Sequence, residues 1–257
     1  MKLFTIFGNP VIHSKSPRMH NLAFKYLGLN NYCYTKTLLT NGEDIVKVFK
    51  KLKISGASVT VPHKEWAFKL ADEVRGIAKE IGAVNCLIEE EGRVIGYNTD
   101  AEGFIESIKE FNYESVLIIG AGGTSKALSK MFKNVETLNR SENRLRDFKN
   151  YKTYTWDSFD KTKKYDLIIN TTSAGLNDNN LPTPKPILED LFKNATYAVD
   201  VIYHETPFQR LAKENNLKLK DGSDMLVYQG VLQFEKFVDI KIDRENIAKI
   251  MKESLKL

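Results

Sequence analysis

Cysteine is almost missing from this chain of 257 residues: Cys33 and Cys86 are the only two. Two thiols cannot build a disulfide framework, and their spacing is not that of metal ligands, so they predict reduced cysteines and a cytoplasmic setting. Histidine is scarce and scattered at His13, His20, His63 and His204, which argues against a metal centre. No apolar run is long enough to cross a bilayer, and the short one after Met1 stops at Gly8-Asn9-Pro10, before it could act as a secretion signal. Lys and Arg number 38 against 33 Asp and Glu, a surplus of +5 without any basic run. That balance points away from nucleic acid and suits small anionic ligands. There is no internal repeat and no low-complexity tract. What remains, 42% hydrophobic and 28% charged, is the composition of a globular chain, and its length suffices for one large or two modest domains.

The most informative stretch is Ser115 to Lys130. Val116 to Ile119 is a short β-branched run expected to be a strand buried on both faces, and it breaks at Gly120 into Gly120-Ala121-Gly122-Gly123-Thr124. A helix capped by Thr124 is predicted next, with Ala127, Leu128 and Met131 on its apolar side. A strand, a tight turn and a helix start direct backbone N–H groups and the positive end of the helix dipole at one place, which suits a pyrophosphate. Gly120-x-Gly122 matches the first two glycines of a dinucleotide-binding fingerprint, while Ser125 stands at the third. A purely structural turn and an adenosyl-methionine site share this local pattern. A second strand at Val135–Leu138 ends about twenty residues on, where the ribose is met. There the chain reads Asn139-Arg140-Ser141-Glu142-Asn143-Arg144 instead of an acidic residue. Two guanidinium forks and a hydroxyl accommodate a 2′-phosphate, so the predicted cofactor is NADP, with solvated surface arginines as the alternative.

Upstream, Leu3–Phe7 reads as a first strand, followed by a loop through Ser14-Lys15-Ser16-Pro17. Ser16 before Pro17 is placed to cap a helix, and two serine hydroxyls beside its positive end can bind a carboxylate or serve structure alone. Residues 31–39 and 43–52 continue as strand and helix. In Ser58-Val59-Thr60-Val61-Pro62-His63-Lys64, Pro62 ends a strand and puts Thr60 and Lys64 at its rim; His63 reads as an exposed loop residue. Residues 83–88 and 94–98 form a predicted hairpin, with Asn85 an amide among apolar neighbours that needs a partner or a ligand. Asp100 is expected to cap the helix that leads into the nucleotide fold, at a domain boundary where clefts tend to form.

Downstream, residues 165–170 are a buried strand whose carboxyl end carries the polar turn Thr171-Thr172-Ser173-Ala174-Gly175, the edge where open α/β sheets gather ligands. Residues 177–186 read as a loop. A strand at 197–203, a helix from Thr206-Pro207 to Asn215, and two helices at 223–238 and 244–255 complete the chain. Gly230, inside the first of these last helices, predicts the close approach of another backbone or a ligand.

Taken in order, Ser14-Lys15-Ser16-Pro17 with His20-Asn21, Val59 to Lys64, Gly82-Ala83-Val84-Asn85, Gly96 to Asp100, Gly120 to Gly123, Asn139-Arg140-Ser141 with Arg144, Asn170-Thr171-Thr172, Asp200 to Tyr203 and Met225 to Gly230 resemble the shikimate dehydrogenase family over nearly the whole chain. The resemblance implies an enzyme of the shikimate pathway of aromatic amino acid biosynthesis, reversibly reducing 3-dehydroshikimate to shikimate with NADPH. A quinate or dual-specificity dehydrogenase, or a non-catalytic NADP sensor, are the alternatives. It implies Lys64 as catalytic acid/base with Asp100 as its partner, and Ser14, Ser16, Thr60, Asn85, Tyr203 and Gln229 as substrate ligands. NADP would be held by Gly120, Ala121, Gly122, Gly123, Thr124, Asn139, Arg140, Ser141, Arg144 and Thr171. The implied architecture is a discontinuous α/β substrate domain, 1–100 with 224–257, and a Rossmann-type NADP domain, 101–223. Its expected partner is a small molecule, with no nucleic acid and no membrane, in a monomer or homodimer. Phe237-Val238-Asp239 stands where the family usually has tryptophan, threonine and glycine.

Overall fold

The computed structural model describes residues 1–160 and 162–256. In chain order its elements begin with β1 (Lys2–Gly8), α1 (Ser16–Tyr26), β2 (Tyr32–Leu38), α2 (Ile45–Lys51), β3 (Ile54–Val59), α3 (Lys64–Leu70), β4 (Glu73–Val74), α4 (Ala78–Ile81), β5 (Cys86–Glu90), β6 (Arg93–Tyr97) and α5 (Asp100–Ser107). They continue with β7 (Val116–Ile119), α6 (Gly123–Ser129), β8 (Val135–Leu138), α7 (Glu142–Leu145), β9 (Lys152–Tyr154), β10 (Leu167–Asn170), α8 (Lys185–Phe192), β11 (Tyr197–Asp200), α9 (Pro207–Glu214) and β12 (Lys218–Lys220). Helices α10 (Gly222–Phe237) and α11 (Arg244–Ser254) close the chain. The contacts divide it into two compact units, residues 1–103 with the segment from Val227 onward, and Phe104–Leu226.

The first unit is a mixed six-stranded sheet in the order β2-β1-β3-β5-β6-β4. Strands β1, β2 and β3 are parallel, and the β5–β6 hairpin joins antiparallel to β3. Phe4 to Phe7 are all buried because both faces of β1 are covered. On one face Phe7, Ile45, Phe49, Ala57, Val59 and Leu87 form the core. On the other, α1, α10 and Phe4 bring Phe24, Phe234 and Phe237 around His20 and Tyr34, with ring centroids 4.5–6.4 Å apart. Each such fully buried large side chain contributes about 1.5–3 kcal/mol.

The second unit is a wholly parallel sheet in the order β12-β11-β10-β7-β8-β9. Its strands Val116–Ile119 and Leu167–Asn170 are buried at every position, as continuous apolar runs require in a sheet covered on both faces. Chain order reverses between β7 and β10, the place in such sheets where a crevice opens at the carboxyl ends of the strands.

Several details differ from the sequence reading. Strands β4, β9 and β12 have only two or three residues and no apolar run to announce them. Helix α8 begins at Lys185 with Pro186 in its first turn, where the missing N–H costs nothing, so part of the expected 177–186 loop is helical. Ser16 is not a side-chain cap but the first residue of α1, and its N–H donates to Ser14 Oγ at 3.3 Å. Thr124 likewise lies inside α6, whose cap position is Gly122 with no side-chain hydrogen bond. His63 is buried, not exposed, with Nε2 2.7 Å from the Leu39 carbonyl. Gly230 leaves α10 unbroken and makes room for the Met19 side chain, which a Cβ there would meet at 2.8 Å, so what approaches is a side chain and not another backbone. The close backbone approach is at Gly103 of α5, where a Cβ would stand 2.5 Å from the Gln229 backbone nitrogen.

Candidate active site

Within the first unit, β3 ends at Val59 and the chain turns through Pro62, so Lys64 opens α3 at the carboxyl edge of the sheet. The same edge carries the turn after β6, where Asp100 opens α5. Lys64 Nζ donates to Asp100 Oδ2 at 2.7 Å, and the two side chains remain 33% and 21% exposed, reachable yet sheltered. Asp100 was expected to cap its helix. Its carboxylate is instead taken by Lys64 and by Asn85 Nδ2 at 2.8 Å, while its N–H donates to Asn98 Oδ1 at 3.0 Å.

Asn85 lies just before β5, 2% exposed, so its amide must be satisfied within the protein. It is: Nδ2 also donates to Thr99 Oγ1 at 3.0 Å, and Oδ1 accepts the Thr99 N–H at 2.8 Å. Thr99 in turn donates its hydroxyl to the Gln229 carbonyl at 3.2 Å. The structure thus brings Lys64, Asp100, Asn85 and Gln229 into one hydrogen-bonded group. Ser14, on the loop after β1, Ser16, the first residue of α1, and Thr60, on the loop after β3, belong to the same unit; Thr60 N–H donates to the Phe7 carbonyl at 2.9 Å, tying the two loop origins together.

Tyr203 is separated from this set by the division of the chain. It lies in the second unit on the turn after β11, 48% exposed, with its ring 6.2 Å from that of His204. Asp200, fully buried, shapes that turn. Its carboxylate accepts from Thr206 Oγ1 at 2.6 Å, Asn170 Nδ2 at 3.1 Å and the Ile202 N–H at 3.1 Å, while burial raises its pKa above the usual carboxylate range.

In the second unit a cavity of about 900 Å³ opens at the reversal of strand order. Gly120, Ala121 and Gly122 from the turn after β7, Asn139, Arg140 and Arg144 after β8, and Thr171 after β10 line it. Gly120 has φ +113°, and a Cβ there would meet Thr171 Oγ1 at 2.6 Å, so only glycine closes this turn without strain. At Gly122 and Gly123 a Cβ would meet nothing within 4 Å, leaving the backbone open to an approaching group. Ser125, at the third fingerprint position, is buried and donates to the Gly120 carbonyl at 2.6 Å, which fixes the turn from beneath. Arg140 and Arg144 are exposed, and among the described residues neither guanidinium makes an ion pair or a side-chain hydrogen bond. A cradle of free backbone and two uncommitted guanidinium groups fits a pyrophosphate with a phosphorylated ribose. Gly123, Thr124 and Ser141 do not line the cavity; Asn139 Nδ2 donates to the Ser141 carbonyl at 2.8 Å and so shapes the loop.

The cavity also takes in Trp156 and residues 178–185, which the sequence reading left without a role. In the first unit it left out Tyr34, Ser58 and Gln233. The spacing of Gln233 four residues after Gln229 on one helix, in otherwise apolar company, was the available signal. Among the described residues no cluster of His, Cys, Asp and Glu could hold a metal, and no helix is long and apolar enough to cross a membrane.

Residues 6–87 match the shikimate dehydrogenase substrate binding domain, and residues 222–252 the shikimate 5′-dehydrogenase C-terminal domain. A relative from Helicobacter hepaticus named shikimate dehydrogenase (NADP(+)) is 45% identical, over 95% of this chain and 94% of its own. One of the same name from Helicobacter pylori is 44% identical over 98% of each. The crystal structure of shikimate 5-dehydrogenase from Thermus thermophilus in complex with NADP(H) and shikimate superposes with a TM-score of 0.84 at 30% identity, over 99% of this chain and 100% of that one.

Proposed function

The chain belongs to the shikimate dehydrogenase family, and from that premise we propose that it interconverts shikimate and 3-dehydroshikimate with NADP. The reading rests above all on Lys64 and Asp100, an ammonium and a carboxylate 2.7 Å apart and partly open to solvent, beside the Asn85 amide. As a ketone is reduced to an alcohol, charge grows on its oxygen. Lys64 Nζ, an N–H donor there, stabilises that charge and delivers the proton to the oxygen. In the oxidative direction the neutral amine takes the same proton back. Asp100 holds Lys64 on its one acceptor oxygen and Asn85 on the other, so the ammonium is aimed before substrate arrives.

Ser14, Ser16, Thr60, Gln229 and Tyr203 hold the substrate, while Asn85, expected among them, has its amide already satisfied by Thr99 and Asp100 and supports the site from behind. All are hydroxyls or amides, which pair with a ring carrying several hydroxyls and a carboxylate; an apolar ring would leave them unpaired. NADPH, when bound, supplies the hydride. Gly120, Ala121 and Gly122 hold its pyrophosphate, and Asn139, Arg140 and Arg144 its ribose phosphate, with Thr171 beside them; Gly123 and Thr124 open the helix behind the turn, and Ser141 shapes the loop of the arginines. In this reading residues 1–100 with 224–257 form the substrate domain and 101–223 the NADP domain. The enzyme works in the cytoplasm, consistent with two free cysteines, as a monomer or homodimer. The test is NADPH formation from shikimate and NADP⁺ followed spectrophotometrically. Turnover is expected, and folded protein that gives none would defeat the proposal.

A further inference from the structure

Behind the groups assigned to the substrate runs a second, buried line of polar side chains. Gln233 is 1% exposed on α10, one turn beyond Gln229. Its Nε2 lies 3.1 Å from the Asn85 backbone carbonyl and 2.9 Å from the Gln229 side-chain oxygen. Its Oε1 accepts from the Ser58 hydroxyl. Ser58 in turn accepts from the Tyr34 phenol at 2.5 Å, and the Ser16 hydroxyl is a further neighbour of that phenol. Tyr34 is held flat against the His20 ring, 4.5 Å away and 5° from parallel.

The direction of these bonds follows from one fixed point. A backbone carbonyl can only accept, so the Gln233 atom facing Asn85 must be the amide nitrogen. Its oxygen is then the atom facing Ser58. Its second N–H points at Gln229, which has to answer with its side-chain oxygen. The Gln229 backbone carbonyl is taken as well, by the Thr99 hydroxyl. With Gln233 donating to its side-chain oxygen, Gln229 keeps its amide nitrogen on the side away from Gln233.

We propose that Gln233 is a positioning residue that sets the polarity of the Gln229 amide, so that Gln229 recognises an oxygen acceptor on a polyhydroxylated substrate by donating to it. Ser58 and Tyr34 hold Gln233 in that sense from behind, and the Asn85 carbonyl holds it from the side. The same Asn85 presents its side chain to Asp100, so the orientation of Gln229 and the aim of Lys64 share one support. This deepens the shikimate dehydrogenase reading and rests on it.

The experiment is a double-mutant cycle on shikimate affinity, measured by titration calorimetry so that it does not depend on turnover. Gln233→Met keeps the volume and helix propensity and removes the polarity; it is expected to raise the Kd for shikimate about tenfold and leave that for NADP⁺ unchanged. Added to Gln229→Ala, it is expected to change the Kd by less than about twofold, because its effect passes through Gln229. Gln233→Glu provides the second variant. A carboxylate at that place can only accept, so Gln229 must reverse its amide, and the Kd rises at least as far as with Gln233→Met. A single variant that binds shikimate like the wild type, or a full tenfold loss on the Gln229→Ala background, would overturn the proposal. Wild-type protein that binds no shikimate would instead remove the functional reading itself, a separate result.

Discussion

The two units present their polar groups in opposite ways. In the first, Lys64, Asp100, Asn85, Thr99, Gln229, Gln233, Ser58 and Tyr34 are bound to one another, so each polar group has its orientation fixed by a neighbour. In the second, the glycine turn offers open backbone, and Arg140 and Arg144 stand uncommitted at the cavity wall. The difference matches the chemistry of the ligands proposed for them. A phosphate carries its own charge and is gripped by any well-placed N–H or guanidinium, whereas hydroxyls on a ring are told apart only by donors and acceptors that cannot turn. Substitutions in the first unit should therefore be felt beyond their own contact, and those in the second should act one by one.

The largest effect sharpens this at the reacting centre. Lys64→Ala is expected to lower kcat about 10³-fold while shifting the KM for shikimate far less; equal losses in both would make Lys64 a binding group and not the acid. Next comes acid stability, which probes the packing behind the first site. Burial lowers the pKa of His20 from 6.5 to about 3, and among the described residues neither ring nitrogen of His20 has a hydrogen-bond partner. Below pH 6.5 the unfolded chain takes up a proton that folded His20 refuses, so folding weakens by about 1.4 kcal/mol per pH unit until the lower value is reached. By pH 4.5 that is about 2.8 kcal/mol, and denaturant titrations of His20→Leu should show a correspondingly shallower fall between pH 6.5 and 4.5. An identical slope in both proteins would mean that His20 is not neutral in the fold. Smaller again is Arg140→Ala, expected to raise the KM for NADPH about tenfold and to leave that for NADH nearly unchanged. A uniform rise would mark the arginine as structural. The smallest quantity is the coupling between Arg140→Ala and Arg144→Ala. It should lie within about 0.5 kcal/mol of additivity, in contrast to the pair at Gln229 and Gln233.

The strands and helices that build both units were legible because their apolar runs are long enough to carry a period, as at Val116–Ile119 and Leu167–Asn170. The glycine turn and the arginines after β8 were legible because backbone freedom and charge are local properties. His63 and Gly230 were misread for a common reason: what decides each is a neighbour far away in sequence, the Leu39 carbonyl in one case and Met19 in the other. Gln233 went unnoticed because two of its partners, Ser58 and Asn85, lie far away in sequence, and only the fold brings them to the helix that carries Gln229 and Gln233.

The division of labour between the units is tested most directly by hydrogen–deuterium exchange of the wild-type enzyme with each ligand alone. Shikimate is expected to slow exchange in peptides covering 14–16, 60–64, 85–100 and 229–233. NADP⁺ is expected to do so over 120–124, 139–144 and 171–174. Protection by shikimate confined to the second set, or by NADP⁺ confined to the first, would contradict it.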